Sequence, residues 1–340
     1  MWVSSVGDCG DCVFLLNLLK HIPGGPHSLG IRHSTMTKAK TADKAVLLFK
    51  LLEPLVAQQD YIKEFKILDA DDKIDWESED FRRLKHFTEG ETLMQAHLNH
   101  YNMVKQSRLK ITGSTPWLKA KPSEESKGRV VVNLTERYRN ASFPWQKIAD
   151  HYRDLILFVG LDHEHHYFCR DYGKVEHVKT DNLLQVAELI AGSELFIGNQ
   201  SSAGAIAEGL KHRRIQETSL IFPDCVFPQA AGLPEVQHVA NGEVVLPAIG
   251  DRAALSLASC DPIFKPLDLT TSPPGFWQYP GVKRSLSINP VASEVVKLTG
   301  VSFQQAREMV YEYQCARLPE FFAAEKAHLE RFKRAKQNAG

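Results

Sequence analysis

The chain has 340 residues with 41 Lys plus Arg against 41 Asp plus Glu, so its formal charge is zero and no global field draws it to nucleic acid or an anionic membrane. That length exceeds what one hydrophobic core usually serves, and two domains are expected. No apolar run approaches the ~20 residues of a membrane span, no basic-then-apolar leader precedes the first strand, and six scattered cysteines fit reduced thiols, so a cytoplasmic protein with no transmembrane segment is expected.

Trp2-Val3-Ser4 reads as a short strand, and a glycine-rich turn, Ser5-Val6-Gly7-Asp8-Cys9-Gly10-Asp11, leads into a helix from Cys12 to His21. Asp8 and Asp11 are carboxylates at the mouth of that turn, candidates for a catalytic base. Cys9 and Cys12 have C-x-x-C spacing, but no second Cys or His pair at zinc spacing accompanies them, so neither a metal nor a redox role is assigned. His27 to His33 and Tyr61 to Leu68 read as strands, and Ala42 to Val56 as an amphipathic helix whose last turn Pro54 should bend or end. The charged and aromatic segment Asp69 to Arg108, with helical stretches such as His97 to Val104, is expected to supply an acceptor-side surface. KAKPSEESKG, Lys119 to Gly128, has no apolar periodicity and reads as an interdomain linker.

Arg129 to Leu134 (RVVVNL) is the clearest strand, followed by a polar loop and a helix over Gln146 to Arg153. Asn133, Thr135, Arg137 and Arg139 at that strand's carboxyl end are the donor set a diphosphate needs, the alternative being solvated loop arginines. Leu155 to Gly160 is the next strand. Asp162-His163-Glu164-His165-His166 then falls on the first turn of a helix, where acids are favoured and histidines are usually exposed, rather than on a metal site. A strand over Val175 to Val178 and a helix over Leu183 to Ala191 precede the central unit, SELFIGNQSSAGAIAEGLKHRRIQE.

In that unit Leu195-Phe196-Ile197 is a buried strand broken at Gly198, Asn199-Gln200-Ser201-Ser202 starts a helix over Ala203 to Leu210, and a further strand ends at Glu217. A helix N-terminus flanked by serines can cradle a diphosphate. Ligands in open α/β sheets lie beyond the strands' carboxyl ends, which brings Glu217 near the same ligand as an acceptor for ribose hydroxyls. The plainer alternative is that the serines only cap the helix and Glu217 is a solvated strand end. Ile221 to Pro290 is rich in Pro and Gly, with Val244-Val245-Leu246 its only strand-like core. Helices are expected again at Phe303 to Cys315 and Pro319 to Lys336, the latter with a basic face of Lys326, His328, Arg331, Lys333, Arg334 and Lys336.

The pattern resembles the GT-B glycosyltransferases, and within them the ADP-heptose lipopolysaccharide heptosyltransferase-like group. SSVGDCGDCVFLLNLL is similar to that family's Ser-Ser-x-Gly-Asp loop, whose aspartate is the base. Gly7-Asp8 matches it by its preceding serines and Gly10-Asp11 by its distance to the helix, and Asp11 is preferred. NLTERYRNASFPW stands where the family has its donor-phosphate loop. LLQVAELIAGSELFIGNQSSAGAIAEGLKHRRIQE is similar to the family's leucine-rich helix, strand and Gly-Asn-Asp-Thr-Gly turn, with Gln200-Ser201-Ser202 in place of Asp-Thr-Gly, a departure that bears on the donor's identity.

The resemblance implies an α/β fold of two Rossmann-like domains facing a cleft, over 1–120 and 129–300, joined by a linker at 121–128, with C-terminal helices at 301–340 crossing back to domain one. It implies an inverting, metal-independent transfer from a nucleotide-sugar donor to a glycan or other hydroxyl acceptor, with no cofactor beyond the donor. A transferase acting on hydroxymethylated bases in DNA, with nucleic acid as acceptor, a nucleotide-sugar epimerase and a non-catalytic nucleotide-sugar-binding module are the rival readings.

Overall fold

The structure, a computed structural model, describes residues 1–5, 8–32, 42–69, 71–83, 92–111, 115–140, 143–218, 225, 236–239, 244–250 and 255–257. In the first half, β1 (Trp2–Ser5), β2 (His27–Ile31), β3 (Ile62–Ile67) and β4 (Trp76–Glu77) form one sheet in the order β3-β2-β1-β4. Every pairing in it is parallel, with Trp2 beside Ser28 and Val3 beside Trp76. Such strands are covered on both faces, which is why all five residues of β2 are buried. Helices α1 (Cys9–His21) and α2 (Ala42–Val56) cross between strands, and Pro54 sits in the last turn of α2, two residues before its end.

Helix α3 (Leu93–Val104) packs on α1 and on the 3-10 segment Ser78–Arg83. Part of the segment 69–108, expected to supply an acceptor-side surface, is interior. His97 and His100 are buried, His97 facing Glu79 at 3.6 Å and His100 accepting from Trp76 Nε1 at 3.2 Å. Burial lowers the pKa of His100, so it stays neutral where an exposed histidine would begin to charge.

The second half carries β5 (Val130–Asn133), α4 (Trp145–Tyr152), β6 (Ile156–Val159), α5 (Asp162–Tyr172), β7 (Glu176–Val178), α6 (Leu183–Gly192), β8 (Leu195–Gly198), α7 (Ser202–Gly209), β9 (Arg214–Glu217) and β10 (Val236–Val239). Its six strands are all parallel, in the order β10-β9-β8-β5-β6-β7. Counted from β5, this is the doubly wound order 3-2-1-4-5-6, whose direction of winding reverses between β5 and β8. A separate antiparallel pair, β11 (Val244–Leu246) and β12 (Leu255–Leu257), follows. The sequence singled out β11 but not its partner, nor the edge strand β10. The expected helices at 303–315 and 319–336, including the basic face on which a nucleic-acid acceptor rested, and the crossing of 301–340 back to domain one lie outside the described residues.

Alternation along β5 divides the interior. Val130 and Val132 pack with Trp145, Tyr152, Phe158 and Ile215 on one face. Val131 joins Leu157, Phe196, Ile190 and Ile206 in a core that continues without a break through α1, α2 and α3 of the first half. Helix α1 lies against α7 and α2 against α6. The segment between the two sheets is fastened to both halves: the backbone N–H groups of Trp117 and Leu118 donate to Gly209 O at 2.9 and 3.1 Å, Trp117 Nε1 donates to Val13 O at 2.9 Å, and Ser123 N donates to Glu188 O at 2.9 Å. Lys211 holds its ammonium 5.0 Å from the Trp117 ring centre and pairs with Glu208, which also takes Arg214. All three charges are buried, and that burial pulls the pKa values of Lys211 and Arg214 below their usual levels.

Candidate active site

In a parallel sheet the carboxyl ends of the strands at the reversal of winding form a crevice, because the helices following them leave in opposite directions. Here that crevice lies between Asn133 of β5 and Gly198 of β8, which are paired in register. The first sheet has the same arrangement between β1 and β4, where Ser4 Oγ bonds Glu77. The two crevices meet. A side chain on Gly10 in the first turn of α1 would come within 4.0 Å of Ser201 O and 3.9 Å of Ser202 Cα at the start of α7. Two helix N-termini, each with unpaired N–H groups and a positive dipole end, therefore converge on one place.

Helix α1 begins at Cys9, three residues before the expected start, because Asp8 in extended conformation is its N-cap. Asp11 then falls on the third helical position, and its Oδ2 accepts from the Asp8 N–H at 3.2 Å. Asp11 turns a carboxylate oxygen back onto the helix end, and Asp8 is the carboxylate that reaches the opposite loop. Its Oδ2 lies 3.4 Å from Arg137 Nη1. Cys9 and Cys12 are both buried, Cys12 Sγ bonds Ser5 Oγ at 3.0 Å, and burial pushes the Cys12 thiol well above its ordinary pKa.

The loop after β5 is shaped by Asn199, which is fully buried. Its Oδ1 accepts from Thr135 N at 3.1 Å, and its Nδ2 donates to the carbonyls of Thr135 at 3.1 Å and Arg137 at 2.6 Å. Tyr138, at φ 58°, takes the left-handed conformation that ordinary side chains rarely adopt, and it separates the directions of its two arginine neighbours. Arg137 points outward toward Asp8 with 49% of its side chain exposed, and Arg139 turns inward with 6% exposed.

Arg139 and Glu217, both expected at the ligand, are bonded to each other in the interior. Glu217 is fully buried: its oxygens accept from Arg139 Nε at 3.0 and 3.1 Å, from Trp145 Nε1 at 2.9 Å and from the Asn140 N–H. Burial is the largest single influence on Arg139 and lowers its pKa, but the charges of Glu217 and Tyr172 and the hydrogen bonds to both together outweigh it and raise it. The pair is a clamp that ties the β5–α4 loop to the end of β9.

Asn133 and Asn199 are likewise committed inside the protein. Asn133 donates to Val159 O at 2.7 Å and accepts from Ser201 Oγ at 2.7 Å. Ser201 is the N-cap of α7, its Oγ accepting from Gly204 N at 3.2 Å, and Gln200 is buried beside it. Thr135 and Ser202 remain half-buried at the cleft with Arg137 and Asp8. Of the residues singled out by sequence spacing, Asn133, Arg139, Asn199, Gln200 and Glu217 are buried, whereas Asp8, Thr135, Arg137 and Ser202 keep some exposure; the spacing missed Trp145 and Asn140, whose partner lies 72 and 77 residues away.

The histidine-rich first turn of α5 is not uniformly exposed. His166 is exposed, whereas His165 is half-buried and stacks on His177 with ring centres 4.4 Å apart, bonding Val175 O at 3.0 Å. Among the described residues no group of three His, Cys, Asp or Glu is placed to hold a metal ion, and no helix is long and apolar enough to cross a membrane.

No family model and no curated protein matches the chain. Solved structures do. The family 9 glycosyl transferase from Veillonella parvula is similar at 9% identity and a TM-score of 0.46, over 67% of this chain and 85% of that one. The heptosyltransferase WaaC from E. coli, solved with ADP-2-deoxy-2-fluoro heptose, is similar at 13% identity and a TM-score of 0.40, over 69% and 91%. The iron-containing dodecameric glycosyltransferase TibC from enterotoxigenic E. coli is similar at 11% identity and a TM-score of 0.43, over 93% and 76%. These are glycosyltransferases of the group that the sequence motifs resemble.

Proposed function

We propose that the chain is a glycosyltransferase that moves a sugar from a nucleotide-diphosphate donor to an acceptor hydroxyl. The observation that carries this reading is the convergence of the N-termini of α1 and α7, with Arg137 on one side and Asp8 on the other. Two positive dipole ends and a half-exposed guanidinium suit the oxygens of a diphosphate, which would accept from Arg137 and the first N–H groups of α7. As the bond from the anomeric carbon to the diphosphate breaks, negative charge grows on the leaving group, and those fixed donors stabilise it without a metal ion. Asp8 accepts the proton of the acceptor hydroxyl as its oxygen attacks the opposite face of the sugar, inverting the anomeric centre. Glu217, held by Arg139 and Trp145, takes no part in binding the nucleoside.

The test is incubation with a panel of nucleotide sugars with and without mixed hydroxyl acceptors, following release of nucleoside diphosphate. Acceptor-dependent release supports transfer, and conversion of the donor sugar without acceptor would make the chain an epimerase. Asp8→Asn should cut turnover by about a hundredfold or more, the scale of a lost general base. Asn caps helices as well as Asp does, so the fold is kept. Asp11→Asn should cost far less, and full activity in Asp8→Asn would remove the proposed base.

A further inference from the structure

One contact joins the two groups that the proposed reaction uses separately. Arg137 Nη1 and Asp8 Oδ2 are 3.4 Å apart, and the two residues come from opposite halves of the molecule, 129 positions apart in sequence. Neither element carrying them is loose. Asp8 is fixed as the N-cap of α1, and the Arg137 carbonyl is held by Asn199 Nδ2 at 2.6 Å. The guanidinium N–H aimed at Asp8 is one that a diphosphate would need, and the carboxylate oxygen facing Arg137 is one that an acceptor hydroxyl would need.

We propose that this pair is a latch across the cleft, which the donor opens. Resting on the reading of the site given above, the sequence of events is that the donor's diphosphate draws Arg137 away from Asp8, and the released carboxylate then receives the acceptor's hydroxyl. The donor binds first, and the base is withheld until a leaving group is in place. The strength of the contact suits that task. With side chains 49% and 31% exposed, such a pair biases an equilibrium by at most about fivefold. A diphosphate, which carries more charge and also meets two helix N-termini, outcompetes it.

The latch predicts that Asp8 opposes anion binding specifically through Arg137. Inorganic pyrophosphate is titrated calorimetrically into the parent protein, Asp8→Asn, Asp11→Asn, Arg137→Ala and the Asp8→Asn/Arg137→Ala double variant. Asp8→Asn should bind pyrophosphate about three- to fivefold more tightly than the parent, the full worth of an exposed pair. Arg137→Ala should bind it about tenfold or more weakly, Asp11→Asn should bind as the parent does, and Asp8→Asn should add nothing in the Arg137→Ala background. No gain in Asp8→Asn, an equal gain in Asp11→Asn, or a gain that survives loss of Arg137 would each overturn the latch and leave the anion site standing. A parent protein that binds no pyrophosphate would overturn the anion site and the latch with it.

Discussion

Replacing Glu217 with Gln keeps the shape of the side chain and removes its charge, which separates a clamp from a ligand. In the parent the carboxylate is fully buried and meets only donors: the Arg139 guanidinium, Trp145 Nε1 and the Asn140 N–H. An amide in that place turns one NH2 group toward a donor and leaves the Arg139 cation buried without its counter-charge. Breaking a buried pair from one side costs about 3–5 kcal/mol. At about 2 °C per kcal/mol for a chain of this size, the melting temperature should fall by roughly 6–10 °C. Calorimetric unfolding measures that fall, and pyrophosphate titration well below both transitions should show unchanged affinity. Adding Arg139→Met should return part of the loss, since no unpaired cation then remains. An unchanged melting temperature would refute the buried clamp. Weakened binding of UDP or ADP with pyrophosphate binding intact would return Glu217 to the ribose.

Three further outcomes follow from the described contacts. His212 is half-buried beside Arg213 and Arg214, and burial first and these charges second lower its pKa to about 4; the unfolded chain binds its proton nearer pH 6.5, so stability falls as pH drops from about 6.5 to 4, by up to about 3 kcal/mol. His212→Gln should flatten denaturant-measured stability over that range, and an unaltered slope would show that His212 is accessible to water. Asn199→Ala strips partners from the backbone of Thr135 and Arg137 and should lower stability by about 1–3 kcal/mol, with weaker pyrophosphate binding; a neutral variant would mean that other contacts hold this loop. A Cβ on Gly192 would lie 2.1 Å from Ser123 O, so Gly192→Ala should push the linker off α6 and lower the melting temperature, whereas Gly128→Ala should act only through its positive φ of 70°.

The strands most readily read from sequence, RVVVNL, LILFVG and SELFIG, are those buried on both faces of a parallel sheet, where the demand for apolar residues is continuous. The bounds of α2 were legible for a related reason: its apolar face is long, and Pro54 marks its last turn. The start of α1 was not, since two Gly-Asp pairs compete there and only the backbone decides which aspartate caps. The inward turn of Arg139 depends on the left-handed residue at Tyr138 and on a carboxylate 78 positions away, and local spacing carries neither. Lys211 and Arg214 of KHRRIQE are buried on Glu208, a pairing fixed by how α7 meets β9 and carried by no local spacing.

The core shared by α1, α2, α6 and α7 also bears on how the molecule would open. Lobes with separate interiors can swing on a connecting segment, but here the segment around Trp117 is stitched to both sides, and parting them would expose Leu15, Ile190 and Ile206 to water. Neither half owns a finished surface, so the protein should melt as a single unit, and cutting the chain between 119 and 128 should leave the fragments associated. Rearrangement at the site then falls to side chains such as Arg137 and Asp8, with the backbone around them staying still.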